Sequence, residues 1–101
     1  MPASSDPSAS DVGASDETVE GTVTLAADLH ARPAGQLSVA AARFQSSIRL
    51  LAAGRESDAK SVLAVMQLGA SAGTAVTIRA AGPDARPAVD TLIALLEAVT
   101  A

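Results

Sequence analysis

Beyond residue 20 the chain switches between two periods of hydrophobicity. Val23 and Leu25 alternate with Thr22 and Thr24, as a strand with one buried face requires. Ala34, Leu37, Ala41 and Phe44 then recur at helical spacing. Pro33 is tolerated only in a first turn, where amide donors have no intrahelical partner, so this helix should start near Ala31. Residues 47–53 (SIRLLAA) predict a second strand, Gly54 a turn, and residues 55–58 a short, polar third strand that completes a hairpin. Residues 61–68 (SVLAVMQL) carry the apolar cluster Val62, Leu63, Val65 and Met66 between a capping serine and Gly69, which predicts a short helix. Residues 74–80 (TAVTIRA) alternate again, Val76 and Ile78 opposing Thr77 and Arg79, before Gly82, Pro83 and Asp84 break the chain. Ala85, Val89, Leu92, Ile93, Leu96 and Val99 share one face of a final amphipathic helix. The order is β-α-β-β-α-β-α. Four short strands and three helices bury a single apolar layer most simply as an antiparallel or mixed sheet covered on one face, which is an α+β class.

The first twenty residues break this pattern. They are mostly Ser, Ala, Pro and Asp, with Asp6, Asp11, Asp16, Glu17 and Glu20 as charges and Val12 and Val19 as the only branched apolar side chains. Such a composition buries too little surface to order itself, so residues 1–20 are expected to be a disordered acidic tail and residues 21–101 the single domain. Phe44 is the only aromatic residue, which predicts a thin aliphatic core and removes aromatic platforms for base stacking. A net charge of -4 opposes the attraction to phosphate backbones, so nucleic acid is not an expected partner. The absence of cysteine excludes disulfides, thiolate catalysis and cysteine-zinc sites, and is consistent with a cytoplasmic location. The N-terminus has neither the basic flank nor the apolar run of a secretory signal. Residues 61–78 carry no charge, but Ser61, Gln67, Gly69, Ser71, Gly73, Thr74 and Thr77 make them a poor membrane span, so no membrane insertion is expected. No metal and no cofactor are expected either.

His30, the only histidine, lies in LHARPAG just ahead of the predicted helix start. Free backbone amides and the positive end of the helix dipole converge there, so an anion attached to the ring would be held in place. Arg32, in the first turn, can turn its planar fork to the same point. On spacing alone, His-x-Arg-Pro suits a capping or solvated histidine as well as a phosphorylated one.

The wider sequence separates these readings. LHARPAGQL resembles the active-site segment of the HPr family, the histidine-containing phosphocarriers of the bacterial sugar phosphotransferase system. AKSVLAVMQLGASAGTAVTI, residues 59–78, resembles the segment around that family's regulatory serine, at a matching distance from His30. The resemblance extends over residues 22–99. It implies an open-faced β-sandwich, a four-stranded antiparallel sheet covered on one face by three helices. It also implies a carrier rather than an enzyme, in which His30 takes a phosphoryl group on Nδ1 from enzyme I, charged by phosphoenolpyruvate, and passes it to IIA components of sugar permeases. Arg32 would contact the phosphate, and the amides of Ala31 and Arg32 would donate to it. Ser61 aligns with the serine modified by an HPr kinase/phosphorylase, although capping alone also explains a serine there.

Val62, Leu63 and Met66 are more apolar surface than a short helix can bury, and with Ala31 and Gly35 they form the expected docking surface of a monomer. Lys60, Arg43 and Arg55 are candidates for its rim. Two other readings stand beside the sugar-system carrier. One is a nitrogen-type regulatory carrier, which Pro33 disfavours because such relatives often have alanine at that position. The other is an HPr-like binding module that acts on a transcription regulator without transferring phosphate. One residue departs from the family pattern: Asp28 stands where glycine usually precedes the Leu-His pair. A carboxylate there opposes a nearby phosphate unless it points away or hydrogen-bonds the turn, and on repulsion alone Asp28→Gly should speed transfer.

Overall fold

The computed structural model describes residues 17–99. The elements are β1 (Glu17–Thr24), α1 (Ala31–Ala41), β2 (Ser47–Ala52), β3 (Arg55–Asp58), α2 (Val62–Leu68), β4 (Ala75–Gly82) and α3 (Ala85–Glu97). The strands form one antiparallel sheet in the order β1-β4-β2-β3, so α1 and α2 each cross between strands that are not neighbours in the sheet, and α3 follows the last strand. Period-two patterning sorts its two faces. Val19 and Val23 of β1, Ile48 and Leu50 of β2, and Val76, Ile78 and Ala80 of β4 are buried under the helices. The helices add Ala34, Leu37 and Ala41, then Val65 and Leu68, then Ala85, Ala88, Val89, Leu92 and Leu96. The core is aliphatic, with Phe44 only packed against its edge.

The open face of the sheet is polar. Arg49 and Arg79 are direct cross-strand neighbours, a repulsive arrangement on its own. Each is neutralised from the outside: Arg49 Nε reaches Glu56 at 2.8 Å and Arg79 Nε reaches Glu20 at 2.6 Å. Both pairs are exposed, so their function is to offset that repulsion more than to add stability.

Several boundaries differ from the sequence-based expectation: β4 starts at Ala75 and α3 ends at Glu97, short of Val99. β1 begins at Glu17, so residues 17–20 belong to the sheet and not to an acidic tail. Their partners supply what composition could not reveal: Glu17 to Glu20 pair with Gly82 to Arg79, and Val19 turns into the core. The rest of the expected tail, residues 1–16, lies outside the described residues. β2 ends at Ala52 because Ala53 turns to a φ of 51°, and β4 continues two residues past Ala80 to Gly82.

At the end of the sheet away from His30, β4 approaches the loop before β2 closely. A Cβ on Gly82, whose φ is 144°, would lie 2.8 Å from Ser46 Cα, so only glycine fits. Two residues on, the carboxylate of Asp84 accepts the amides of Gln45 and Ser46, both at 2.9 Å, and the Ser46 hydroxyl. The Asp84 amide returns a bond to Ser46 Oγ at 3.1 Å. This clamp joins the α1–β2 loop to the start of α3. Among the described residues no helix is long and apolar enough to cross a membrane.

Candidate functional site

His30 closes the loop between β1 and α1. That loop is held from one side by the turn that follows α2. The Leu25 amide donates to Thr74 O at 2.9 Å, the Gly73 amide to Leu25 O at 2.8 Å, and the Leu29 amide to Ala70 O at 3.0 Å. Leu29, whose side chain is buried, then anchors the loop to the core. His30 follows it as the N-cap residue of α1, with extended backbone (φ -76°, ψ -176°) and an exposed side chain that makes no capping bond. A burial alternation of Leu25, Ala27 and Leu29 inside, Asp28 and His30 outside, sets the imidazole toward solvent.

The amides around the ring are accounted for one by one. His30 N–H donates to Asp28 O at 3.1 Å, and Ala34 N–H makes the first helical bond, to His30 O at 2.9 Å. Pro33 has no N–H. The amides of Ala31 and Arg32 are left with no acceptor among the described residues, at the positive end of an eleven-residue helix. Arg32 is exposed and forms no ion pair among the described residues. Two amides without an acceptor among the described residues and an exposed imidazole therefore lie at one helix end, with Arg32 in its first turn, an arrangement suited to a phosphoryl group carried on the ring.

Ser61 is not part of this cluster. It caps α2, where its Oγ accepts the Ala64 amide at 3.2 Å, and it is half-buried. Of the apolar residues in α2, Val65 is core while Val62, Leu63 and Met66 are 40%, 65% and 43% exposed. Val62 joins Ala31, Arg32, Gly35, Gln36, Val39, Ala40 and Arg43 in a groove between α1 and α2 that opens beside the histidine.

Val39, 60% exposed, is a groove residue that the sequence analysis missed. The available signal was a branched apolar side chain lying off the stripe of Ala34, Leu37 and Ala41. Of the cations considered for the rim, only Arg43 lines the groove. Lys60 Nζ is bonded to Phe44 O at 2.8 Å and Arg55 Nη1 to Gln67 O at 3.2 Å. Asp28 does not carry a free carboxylate. Its Oδ1 accepts the Ala72 amide at 2.8 Å, so the carboxylate hydrogen-bonds the turn, the case in which the repulsion favouring Asp28→Gly does not apply.

Comparison with known proteins shows the family of the chain. A family model described as "PTS HPr component phosphorylation site" matches residues 18–98. The phosphocarrier protein HPr of Cupriavidus necator is 43% identical over 68 residues, which is 67% of this chain and 76% of that one. HPr of Vibrio cholerae is 40% identical over 75 residues, 74% of this chain and 88% of that one. Among solved structures, HPr from Bacillus anthracis superposes with a TM-score of 0.73 at 33% identity, covering 78% of this chain and 96% of that one. With the same sheet-and-helix architecture and a family match across nearly all of the described residues, the chain belongs to the HPr family of phosphocarriers of the phosphotransferase system.

Proposed function

We propose that His30 is the phosphoryl acceptor and donor, charged by enzyme I at the expense of phosphoenolpyruvate and discharged to IIA components of sugar permeases. The observation that supports this most is the pair of amides, Ala31 and Arg32, left without an acceptor among the described residues at the helix start that the exposed His30 caps. In the forward step the lone pair of a ring nitrogen attacks phosphorus, a P–N bond forms, and the bond from phosphorus to the donor breaks. The second ring nitrogen keeps its proton. The phosphoryl oxygens then receive the two amides and the Arg32 fork, whose charge assistance orients the group on the ring. Discharge reverses the electron flow: an acceptor on the next protein attacks phosphorus and the imidazole leaves. The carrier supplies no further chemistry of its own, so it acts as a stoichiometric intermediate, as a monomer and in the cytoplasm where its donor works.

Docking uses Ala31, Gly35, Val62, Leu63 and Met66. The groove and the exposed face of α2 support this, since three large apolar side chains on one seven-residue helix are left uncovered. Ser61 is the regulatory position in this reading. A phosphate on it would add about two negative charges at the N-terminus of α2, beside Val62 and Leu63. Those charges would be desolvated poorly when a partner covers the helix, so docking weakens while His30 itself is untouched.

The test is incubation with enzyme I and phosphoenolpyruvate. An acid-labile phosphate on the wild-type protein, absent from His30→Ala, is the expected result. No adduct on the wild type, or an adduct that survives in His30→Ala, overturns the assignment.

A further inference from the structure

The carboxylate of Asp28 and its main-chain carbonyl both hold the loop that carries His30. Oδ1 accepts the amide of Ala72, 44 residues away in sequence, at 2.8 Å. The carbonyl of the same residue accepts the His30 amide at 3.1 Å. Between them, Leu29 donates to Ala70 O at 3.0 Å and buries its side chain. Three consecutive residues, 28 to 30, are thus tied to the turn at 70–72 or to each other.

We infer that Asp28 is a positioning residue for the phosphoryl acceptor: its bond to Ala72 N–H fixes the turn that His30 follows, and so sets the ring over the Ala31 and Arg32 amides before phosphate arrives. The inference rests on the carrier reading for its functional consequence. A charge-assisted bond to a backbone amide is stronger than a neutral one and costs little entropy on so short a side chain. It also gives the carboxylate a donor of its own, which reduces the repulsion it would otherwise exert on a phosphorylated ring. With glycine at this position the Ala72 amide would have no side-chain acceptor, and residue 28 would gain backbone freedom next to the reacting group. Donors that are already aimed lower the barrier because nothing has to reorganise during transfer.

The same tie joins the acceptor to the docking helix. The C-cap of α2 is Gly69, in the left-handed conformation, and Ala70 and Ala72 follow it at once. Residues 28 and 29 are therefore joined by two hydrogen bonds to the turn that directly follows α2.

The experiment compares wild type, Asp28→Ala and Asp28→Asn. Asparagine keeps an acceptor oxygen for the Ala72 amide, and alanine removes it. In NMR spectra of the unphosphorylated protein, Asp28→Ala should broaden or split the His30 ring signals and speed exchange of the Ala72 and Leu29 amides, and Asp28→Asn should restore both. At saturating enzyme I, the phosphorylation rate of Asp28→Ala should fall about tenfold while the half-saturating enzyme I concentration stays the same, because no docking residue is changed. Asp28→Asn should recover most of that rate. The inference is overturned if Asp28→Ala keeps wild-type ring signals, if it is phosphorylated as fast as wild type or faster, or if asparagine behaves like alanine. If wild type itself takes no phosphate from enzyme I, the carrier reading fails, while the ring signals still decide whether Asp28 positions His30.

Discussion

Arg32 and Ser61 are exposed and half-buried respectively, one in the first turn of α1 and the other capping α2, yet they should respond to substitution in opposite ways. Arg32 bonds to no acidic group among the described residues, so Arg32→Ala should change stability by less than about 0.5 kcal/mol in urea unfolding. Its phosphorylation by enzyme I should slow by about 100-fold, the scale of losing one aimed donor, and Arg32→Lys should recover only part because the ammonium has no fork. Ser61→Ala removes the acceptor of the Ala64 amide and should cost about 1 kcal/mol, with transfer at saturating enzyme I unchanged. Ser38 shows the reverse case. Its hydroxyl is buried in α1 with no hydrogen-bond partner among the described residues, so Ser38→Ala should raise stability by about 1 kcal/mol. The position of His30 ahead of a helix could be read from Pro33 and the spacing of Ala34, Leu37 and Ala41. The partner of Asp28 could not, because nothing local connects it to Ala72.

Two elements carry residues that suit function or topology better than local stability. Ala53 and Gly54 join β2 to β3 with φ values of 51° and 77°, the signs of a type I′ turn. A methyl side chain is strained there, and Asn is not, so Ala53→Asn should raise the urea midpoint by the equivalent of about 0.5–1 kcal/mol. In α1, an added Cβ on Gly35 would meet no heavy atom within 4 Å. Gly35→Ala should therefore stabilise the helix by about 0.5–1 kcal/mol, and because Gly35 lines the groove it should also raise the half-saturating concentration of enzyme I. An unchanged concentration would remove Gly35 from the docking surface.

Element type and order were legible throughout: most burial faces followed a period of two or of 3.6, and β3, polar in sequence, was read from the turn at Gly54. The first half of β1 was not: Thr18, Glu20 and their neighbours become a strand only because β4 extends to Gly82 and pairs with them. The exposure of Val62, Leu63 and Met66 was foreseeable from the shortness of α2. Val39 was passed over because a single valine off the buried stripe is unremarkable until a second helix is set beside it.

For the molecule as a whole, the clamp of Asp84 on Gln45 and Ser46 links its pH response to its fold. The Ser46 hydroxyl first, and the Gln45 amide next, hold the Asp84 carboxyl below its ordinary value of 3.8. A folded-state value below the unfolded one means the stabilisation is present above the unfolded value and is lost as pH falls through the folded one. Stability should therefore decline as pH drops below about 3.8, and Asp84→Asn should flatten that decline while lowering stability near neutral pH. Equal slopes in the two proteins would contradict the linkage. The clamp lies at the opposite end of the sheet from His30, so phosphorylation kinetics near neutral pH should be the same in both as long as Asp84→Asn remains folded. Scaffold and site are separable in this way because the reacting end is held by its own bonds, between residues 25–29 and residues 70–74.

The central claim, that His30 carries phosphate over the two free amides of α1, is tested most directly by 15N-edited NMR of the protein before and after charging with enzyme I and phosphoenolpyruvate. Phosphorylation should move the Ala31 and Arg32 amide protons downfield more than any others, with the phosphorus coupled to a His30 ring nitrogen. A charged protein whose Ala31 and Arg32 amides stay in place, or whose phosphorus is coupled to no His30 nitrogen, would contradict it.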